Sequence, residues 1–185
     1  MRHLLIDSET GGLNAKTDAL LQLYMGVVDE HLNIIDECNS YIHSSNLNVS
    51  KEALDVNKIN LEEHNMIAMD RTLAYRLTIE FLDRNTEDCI LRPMGHNVKF
   101  DLRFLEALIS LETMNKYLSV DVTDTKEIAA QKIRLKEITA TRTNLGEMVR
   151  YYGIEFDGQQ HSARTDAIAT LEVYKRFMGI KPEVE

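Results

Sequence analysis

The stretch LLIDSETGGL, from Leu4 to Leu13, sets two carboxylates one residue apart behind an apolar run and follows them with two glycines. In an extended chain, side chains at i and i+2 share a face. Strand geometry carried as far as residue 9 therefore projects Asp7 and Glu9 together from the carboxyl end of a buried strand, the end at which open α/β sheets hold ligands. Two carboxylates so close repel each other unless positive charge lies between them. A hard divalent cation with oxygen ligands, Mg²⁺ or Mn²⁺, would supply that charge. Gly11 and Gly12, which lack a Cβ, are expected to let the backbone pass close to a ligand. A solvent-exposed acidic turn with a glycine bend accounts for the same ten residues equally well, because short motifs match by chance.

Two distant segments bear on that choice. GHNVKFDLRFL places Asp101 at the start of a helix that follows a strand, again at a sheet's carboxyl edge. A carboxylate in a helix's first turn is favoured by the dipole in any case, and Asn97 has a ready explanation as turn chemistry. HSARTDAIATLEVY places His161 just before the final helix and Asp166 inside it. Singly, His161 reads as a surface or capping histidine and Asp166 as a solvated helix residue. The small residues around Asp166, namely Ala163, Ala167 and Ala169, would nevertheless let this helix lie close to another element, as a site requires.

The elements that must position these residues form an α/β pattern. A short buried strand is expected over residues 2–7. Two further strands, 19–29 and 33–43, are joined by a turn at His31, Leu32 and Asn33 and expected to be antiparallel. Residues 47–65 turn polar and read as loop with a short helix. Leu73, Leu77 and Phe81, with Ala74 and Leu82 beside them, make one apolar stripe of a helix. A strand ends near Gly95, a helix covers 100–111, and a strand near 118–123 leads into a helix at 125–133. A helix over 143–152 ends near Gly153. The last starts near Ser162 and sets Ala163, Ala167, Leu171, Tyr174 and Met178 on one side. Strands first paired and then alternating with helices predict a mixed sheet with helices on its faces.

Composition narrows the function classes. The 185 residues are 44% hydrophobic and 28% charged, ordinary for a soluble globular protein of one domain, taken as 1–185. No apolar run reaches the length of a membrane span, and the N-terminus lacks the build of a signal peptide, so a cytoplasmic location away from membranes is expected. Cys38 and Cys89 form no CxxC and read as reduced core residues. The net charge of −9 argues against an indiscriminate nucleic-acid coat protein, but not against an enzyme that holds nucleic acid locally.

Asp7-x-Glu9, the HNVKFD segment ending in Asp101, and His161 followed five residues on by Asp166 resemble, in order and spacing, the DEDDh exonucleases. These ribonuclease-H-like proteins include the proofreading exonuclease subunit of bacterial replicative polymerases, ribonuclease T and oligoribonuclease. The resemblance covers residues 2 to 178 or so, and three motifs in order are far more specific than any one. One departure is Gly11, where many relatives have a second threonine.

The resemblance implies a ribonuclease-H-like mixed β-sheet flanked by helices, and a 3′–5′ exonuclease releasing nucleoside 5′-monophosphates. It implies that Asp7, Glu9, Asp101 and Asp166 ligate two divalent metal ions and that His161 is the general base. Thr10, Gly11, Gly12 and Leu13 are implied to contact the terminal nucleotide, and Asn97 and Phe100 are expected to bind the substrate with them. Phosphodiester hydrolysis needs an activated water and a means of holding charge on the leaving oxygen. Two cations about 3.5–4 Å apart do both, and Asp7, at the end of the buried strand, is the natural bridge.

The expected substrate is a single-stranded 3′ end, with DNA favoured slightly over RNA. VDVTDTKEIA is locally similar to oligoribonuclease, which keeps exoribonuclease trimming of short RNA open. Basic residues from Lys126 to Arg142 are a candidate path for the substrate backbone, or a solvated face. Tyr151 and Tyr152 offer base stacking or core packing. The length fits a free-standing trimming enzyme or a subunit partnered with a polymerase or other replication or repair protein. The competing class is a non-catalytic module that binds nucleic-acid ends or docks on a polymerase. Such a module is expected to have lost at least one of the five chemical residues, and all five are present. Oligomeric state is not readable.

Overall fold

A computed structural model describes residues 2–155 and 162–180. Its sheet has five strands in the order β3-β2-β1-β4-β5. β1 (His3–Thr10), β2 (Leu20–Val28) and β3 (Ile34–Tyr41) pair antiparallel. β4 (Arg92–Gly95) and β5 (Thr123–Asp124) run parallel to β1 on its other side. The central strand is thus the one that carries the acidic pair.

Every residue of β2 is buried, as expected of a strand covered on both faces. On one face Leu4, Ile6, Leu23, Met25 and Val27 pack with Phe81, Phe104 and Leu105 from α3 (Arg71–Asn85) and α4 (Val98–Ile109). On the other, Leu5 and Tyr24 meet Ala163, Ala167 and Leu171 of α8 (Ala163–Phe177). The opposite side of α8, with Ala169, Val173 and Phe177, closes a third cluster against α6 (Thr125–Arg134) and α7 (Leu145–Tyr152). Alanines on both sides of α8 let it sit close to the sheet and to these helices at once.

The expected mixed sheet and its antiparallel half are present. Several boundaries differ. The polar segment at 47–65 holds two short helices rather than one, α1 (Lys51–Asn57) and α2 (Leu61–Ile67), capped by the side chains of Ser50 and Asn60. The strand expected near 118–123 is only Thr123–Asp124. Much of the chain before it is α5 (Leu111–Tyr117), which a left-handed Ser110 (φ 70°) separates from α4 while its hydroxyl caps the new helix. α4 begins at Val98, two residues early. α7 ends as expected on Gly153 in the left-handed region. Met178 is not on the buried side of α8: it lies past the helix end and is exposed. Cys38 and Cys89 are free and only partly buried, at the margin of the core. Among the described residues no helix is long and apolar enough to cross a membrane.

Candidate active site

β1 stays extended through Glu9, with an irregularity only between Glu9 and Thr10. Alternation then assigns faces. Asp7 pairs with Tyr24 and Glu9 with Gln22, so both carboxylates share the face covered by α8. Asp166 stands in the first turn of that helix. One ligand atom from each of Asp7, Glu9 and Asp166 lies within 4.8 Å of the others. The start of α8 is held there by Gln22, a buried residue of β2: Ala163 N–H donates to its Oε1 at 3.2 Å, while its Nε2 donates to Asn39 at 2.8 Å. Ser162, at the N-cap position, makes no side-chain cap.

Ser8 points the other way, toward α4, and its hydroxyl donates to Asp101 Oδ1 at 2.6 Å. Asp101 is 3% exposed. The structure thus gathers three of the four expected carboxylates and seats the fourth beside them on a serine that the sequence reading passed over. The signal for Ser8 was present, since the residue between two acids on a strand faces the opposite helix layer.

The electrostatics are severe. Asp7 keeps a partly accessible edge but is closely surrounded by protein. Burial pushes its carboxyl well above the usual range, and the charges of Asp101, Glu9 and Asp166 push it further. Burial, then Asp166 and Asp101, raise Glu9 to about 8. Burial raises Asp101 to about 7 even though the Ser8 bond opposes the rise. Such a cluster is stable either protonated or around a cation. The donors are all carboxylate oxygens, which suit a hard divalent ion rather than a soft one. Asp7, Glu9 and Asp166, with Asp101 adjacent, fit that group. His161 lies outside the described residues.

Beside the acids lies a cavity of about 560 Å³. Its floor and rim include every residue from Ser8 to Leu13, together with Phe100. The opposite wall is α1, through Ala53, Val56 and Asn57, within the segment read as loop with a short helix and not assigned to the site. Buried Asn57 fastens it, donating from Nδ2 to the Thr10 carbonyl at 3.2 Å. Asn97 is not among the residues lining this cavity; it is exposed, left-handed (φ 72°), and its N–H donates to Asp124.

The glycines also serve contacts within the chain. A Cβ on Gly11 would overlap the Asn48 carbonyl oxygen and come 3.0 Å from Val49 Cα; one on Gly12 would overlap the Asp18 carboxylate. Gly11 N–H donates to Ala19 O at 2.7 Å and Ser50 N–H to Gly11 O at 2.8 Å. The missing Cβ of Gly11 therefore admits the protein's own 48–50 segment, which carries α1 to the cavity, and that of Gly12 admits the Asp18 side chain, while both glycines line the cavity.

In the basic stretch, Lys132 pairs with Glu137, while Lys126, Arg134, Lys136 and Arg142 are exposed. Tyr152 packs edge-on against Phe177, and the Tyr151 hydroxyl accepts from Thr139 N–H at 3.3 Å. Tyr152, partly buried, thus packs against the core, and Tyr151 is engaged by its own chain.

A mixed sheet with a carboxylate cage at the end of its central strand sets oxygen donors able to hold a divalent cation beside an apolar-walled cleft. The sequence model of the exonuclease family (RNase T) matches residues 4–174, and the chain belongs to that family. No match is found among curated protein sequences. Among solved structures the chain is similar to E. coli exonuclease I in complex with a dT13 oligonucleotide (TM-score 0.79, 16% identity), covering 95% of this chain and 40% of that one. It is equally similar to the zinc-ion-bound form of the E. coli exonuclease I–ssDNA complex (TM-score 0.79, 16% identity, 94% and 39% covered). The chain therefore spans about two fifths of the length of these relatives, and the likeness is one of fold.

Proposed function

We propose that the protein is a metal-dependent 3′–5′ exonuclease that removes nucleoside 5′-monophosphates from single-stranded nucleic acid, DNA before RNA. The observation that carries this reading is the convergence of Asp7, Glu9 and Asp166 within 4.8 Å at the edge of the cavity. Family membership supports it, and the similar structures named above hold single-stranded DNA. The intact set of carboxylates speaks against a binding-only module.

Asp7, Glu9 and Asp166, with Asp101 beside them, would hold Mg²⁺ or Mn²⁺. Bound divalent cations supply an acidified water and stabilise charge on the departing oxygen. The chain's own residues do the rest. Leu13, Val56 and Phe100 offer apolar walls to the terminal base, and Thr10 to Gly12 set the lip that seats its sugar. His161 takes the proton of the attacking water, and water adds to phosphorus as the bond to the 3′ oxygen of the preceding nucleotide breaks.

The test is incubation with 5′-labelled single-stranded DNA, RNA and closed circular DNA, with Mn²⁺ and with chelator. A ladder of shortened linear strands, an intact circle and silence in chelator are expected. Cutting of the circle at a comparable rate would show an endonuclease. His161→Ala should slow turnover by roughly 10²–10⁴-fold while calorimetry shows Mn²⁺ binding largely retained. Loss of metal in that variant would make His161 a ligand.

A further inference from the structure

Among the buried residues of the VDVTDTKEIA stretch are Asp124 and Thr125, polar side chains that have no task in the carboxylate site. We infer that Asp124 is a positioning residue for the Asp101 carboxylate, acting through the first turn of α4. The inference rests on the proposed role of Asp101 in the metal site.

Asp124 ends β5, caps α6 and is 5% exposed. Its Oδ1 accepts from Lys126 N–H at 2.9 Å, the cap of its own helix. The same oxygen accepts from Asn97 N–H at 3.0 Å, and Oδ2 accepts from Val98 N–H at 3.1 Å. One buried carboxylate therefore caps two helices. α4 has need of it, because its own N-cap residue, Asn97, is left-handed and gives no side-chain cap. Asp101 lies in the first turn of α4, so where that turn sits decides where Asp101 sits.

Thr125 reinforces the tie. Its hydroxyl donates to the Gly95 carbonyl at 3.1 Å, and His96 Nδ1 lies 2.9 Å from the Thr125 hydroxyl oxygen. A hydroxyl has one proton and the carbonyl can only accept, so His96 Nδ1 is the donor to Thr125. Each residue from Gly95 to Val98 is thus bonded to Asp124 or Thr125, across the point where β4 becomes α4. Ser8 fixes the carboxylate of Asp101 from the other side. An amide at position 124 could not substitute fully. Three N–H donors converge on two oxygens, and asparagine would turn an NH₂ toward one of them. The charge itself is favoured at two adjoining helix N-termini.

The experiment compares the full chain with Asp124→Asn, Asp124→Ala and a cap control, Asp70→Ala. Asp70 caps α3 by accepting from Leu73 N–H at 2.9 Å and takes no part in the site. Mn²⁺ affinity is measured by calorimetry and turnover on an oligonucleotide by steady-state kinetics, with folding checked by circular dichroism. The Asp124 variants should bind Mn²⁺ about 10–100-fold more weakly, the range for groups that orient metal ligands. Their kcat should fall and KM stay unchanged. Asp70→Ala should melt earlier yet keep wild-type metal affinity and kcat. If Asp124→Ala does not fold, Asp124→Asn decides. Wild-type affinity and kcat in a folded Asp124 variant would overturn the inference, as would an equal loss in Asp70→Ala. A wild-type protein that takes up no Mn²⁺ would instead overturn the metal reading, and the inference with it.

Discussion

The carboxylate cage and the nucleotide lip adjoin along β1, yet they are built from different material. The cage hangs on the core: Asp7 and Glu9 end the central strand, Asp166 rides on α8 packed through Ala163 and Ala167, and Asp101 rides on α4. The lip hangs on loops: Leu13 is 81% exposed, Val56 across the cavity is 67% exposed, and the segment joining them is fastened by a few hydrogen bonds. The cage is electrostatically strained and sterically secure; the lip is the reverse. Strain of that kind belongs where a charge must be held in place. Exposure belongs where a changing base must be accepted.

The largest expected effect tests the strained side. Asp7→Ala should reduce hydrolysis to background, because it removes the acid at the end of the buried strand on which the metal reading centres. The same change should stabilise the metal-free protein. The sign follows from the shifts. Glu9 at about 8 and Asp101 at about 7 stand above ordinary carboxyl values, and Asp7 is raised as well. Between roughly pH 4.5 and 8 the folded protein therefore binds more protons than the unfolded chain, so stability falls as pH rises through that window. The chelated wild-type protein should melt at a lower temperature at pH 8.5 than at pH 5.5. Mn²⁺ should restore most of the difference at high pH, and Asp7→Ala should flatten the slope. A pH-independent melting temperature in chelator would show that the acids do not carry this strain.

On the lip, the glycines separate two kinds of close approach. Gly11→Ala sets a methyl against backbone at Asn48 and Val49, which can move only by shifting the 48–50 segment and α1 with it. Overpacking of this kind costs about 1–3 kcal/mol, and KM should rise as the wall of the cavity moves. Gly12→Ala meets the end of a side chain, Asp18, which can rotate away at the loss of the bond it accepts from Asn14 N–H. Its effect on melting should be the smaller of the two. The reverse order would mean that segment 48–50 is not the fixed partner of Gly11.

The same division governs how much could be read from the sequence. The cage was legible because it sits on periodic elements. Strand alternation sent Asp7 and Glu9 to one face, and the alanines around Asp166 marked a helix able to approach it. What escaped was whatever depended on a tertiary partner. Ser8 needed α4 on its face before its bond to Asp101 had meaning. Gln22, buried in an apolar strand, caps a helix 141 residues away. α1 was missed as a wall because a seven-residue helix gives little periodic signal, although Ser50 marked its start. The contact of Gly11 with the 48–50 segment went unread because nothing in the sequence brings Asn48 to Gly11. The break at Ser110 was hidden because a left-handed serine leaves no compositional trace.

The smallest effect bears on the lip alone. Leu13 is almost wholly exposed, so Leu13→Ala should leave the melting temperature within the scatter of surface substitutions, about 0.5 kcal/mol or less. What it removes is apolar area offered to the terminal base. At about 0.8 kcal/mol per buried methylene, partial cover of the side chain amounts to about 1–2 kcal/mol, a rise in KM of roughly 5–30-fold. A contact made equally before and during bond cleavage changes KM and leaves kcat alone. Steady-state kinetics on a short single-stranded oligonucleotide decide the matter. A fall in kcat at constant KM would mean that Leu13 helps to align the scissile phosphate, and that the exposed lip takes part in the chemistry assigned to the cage.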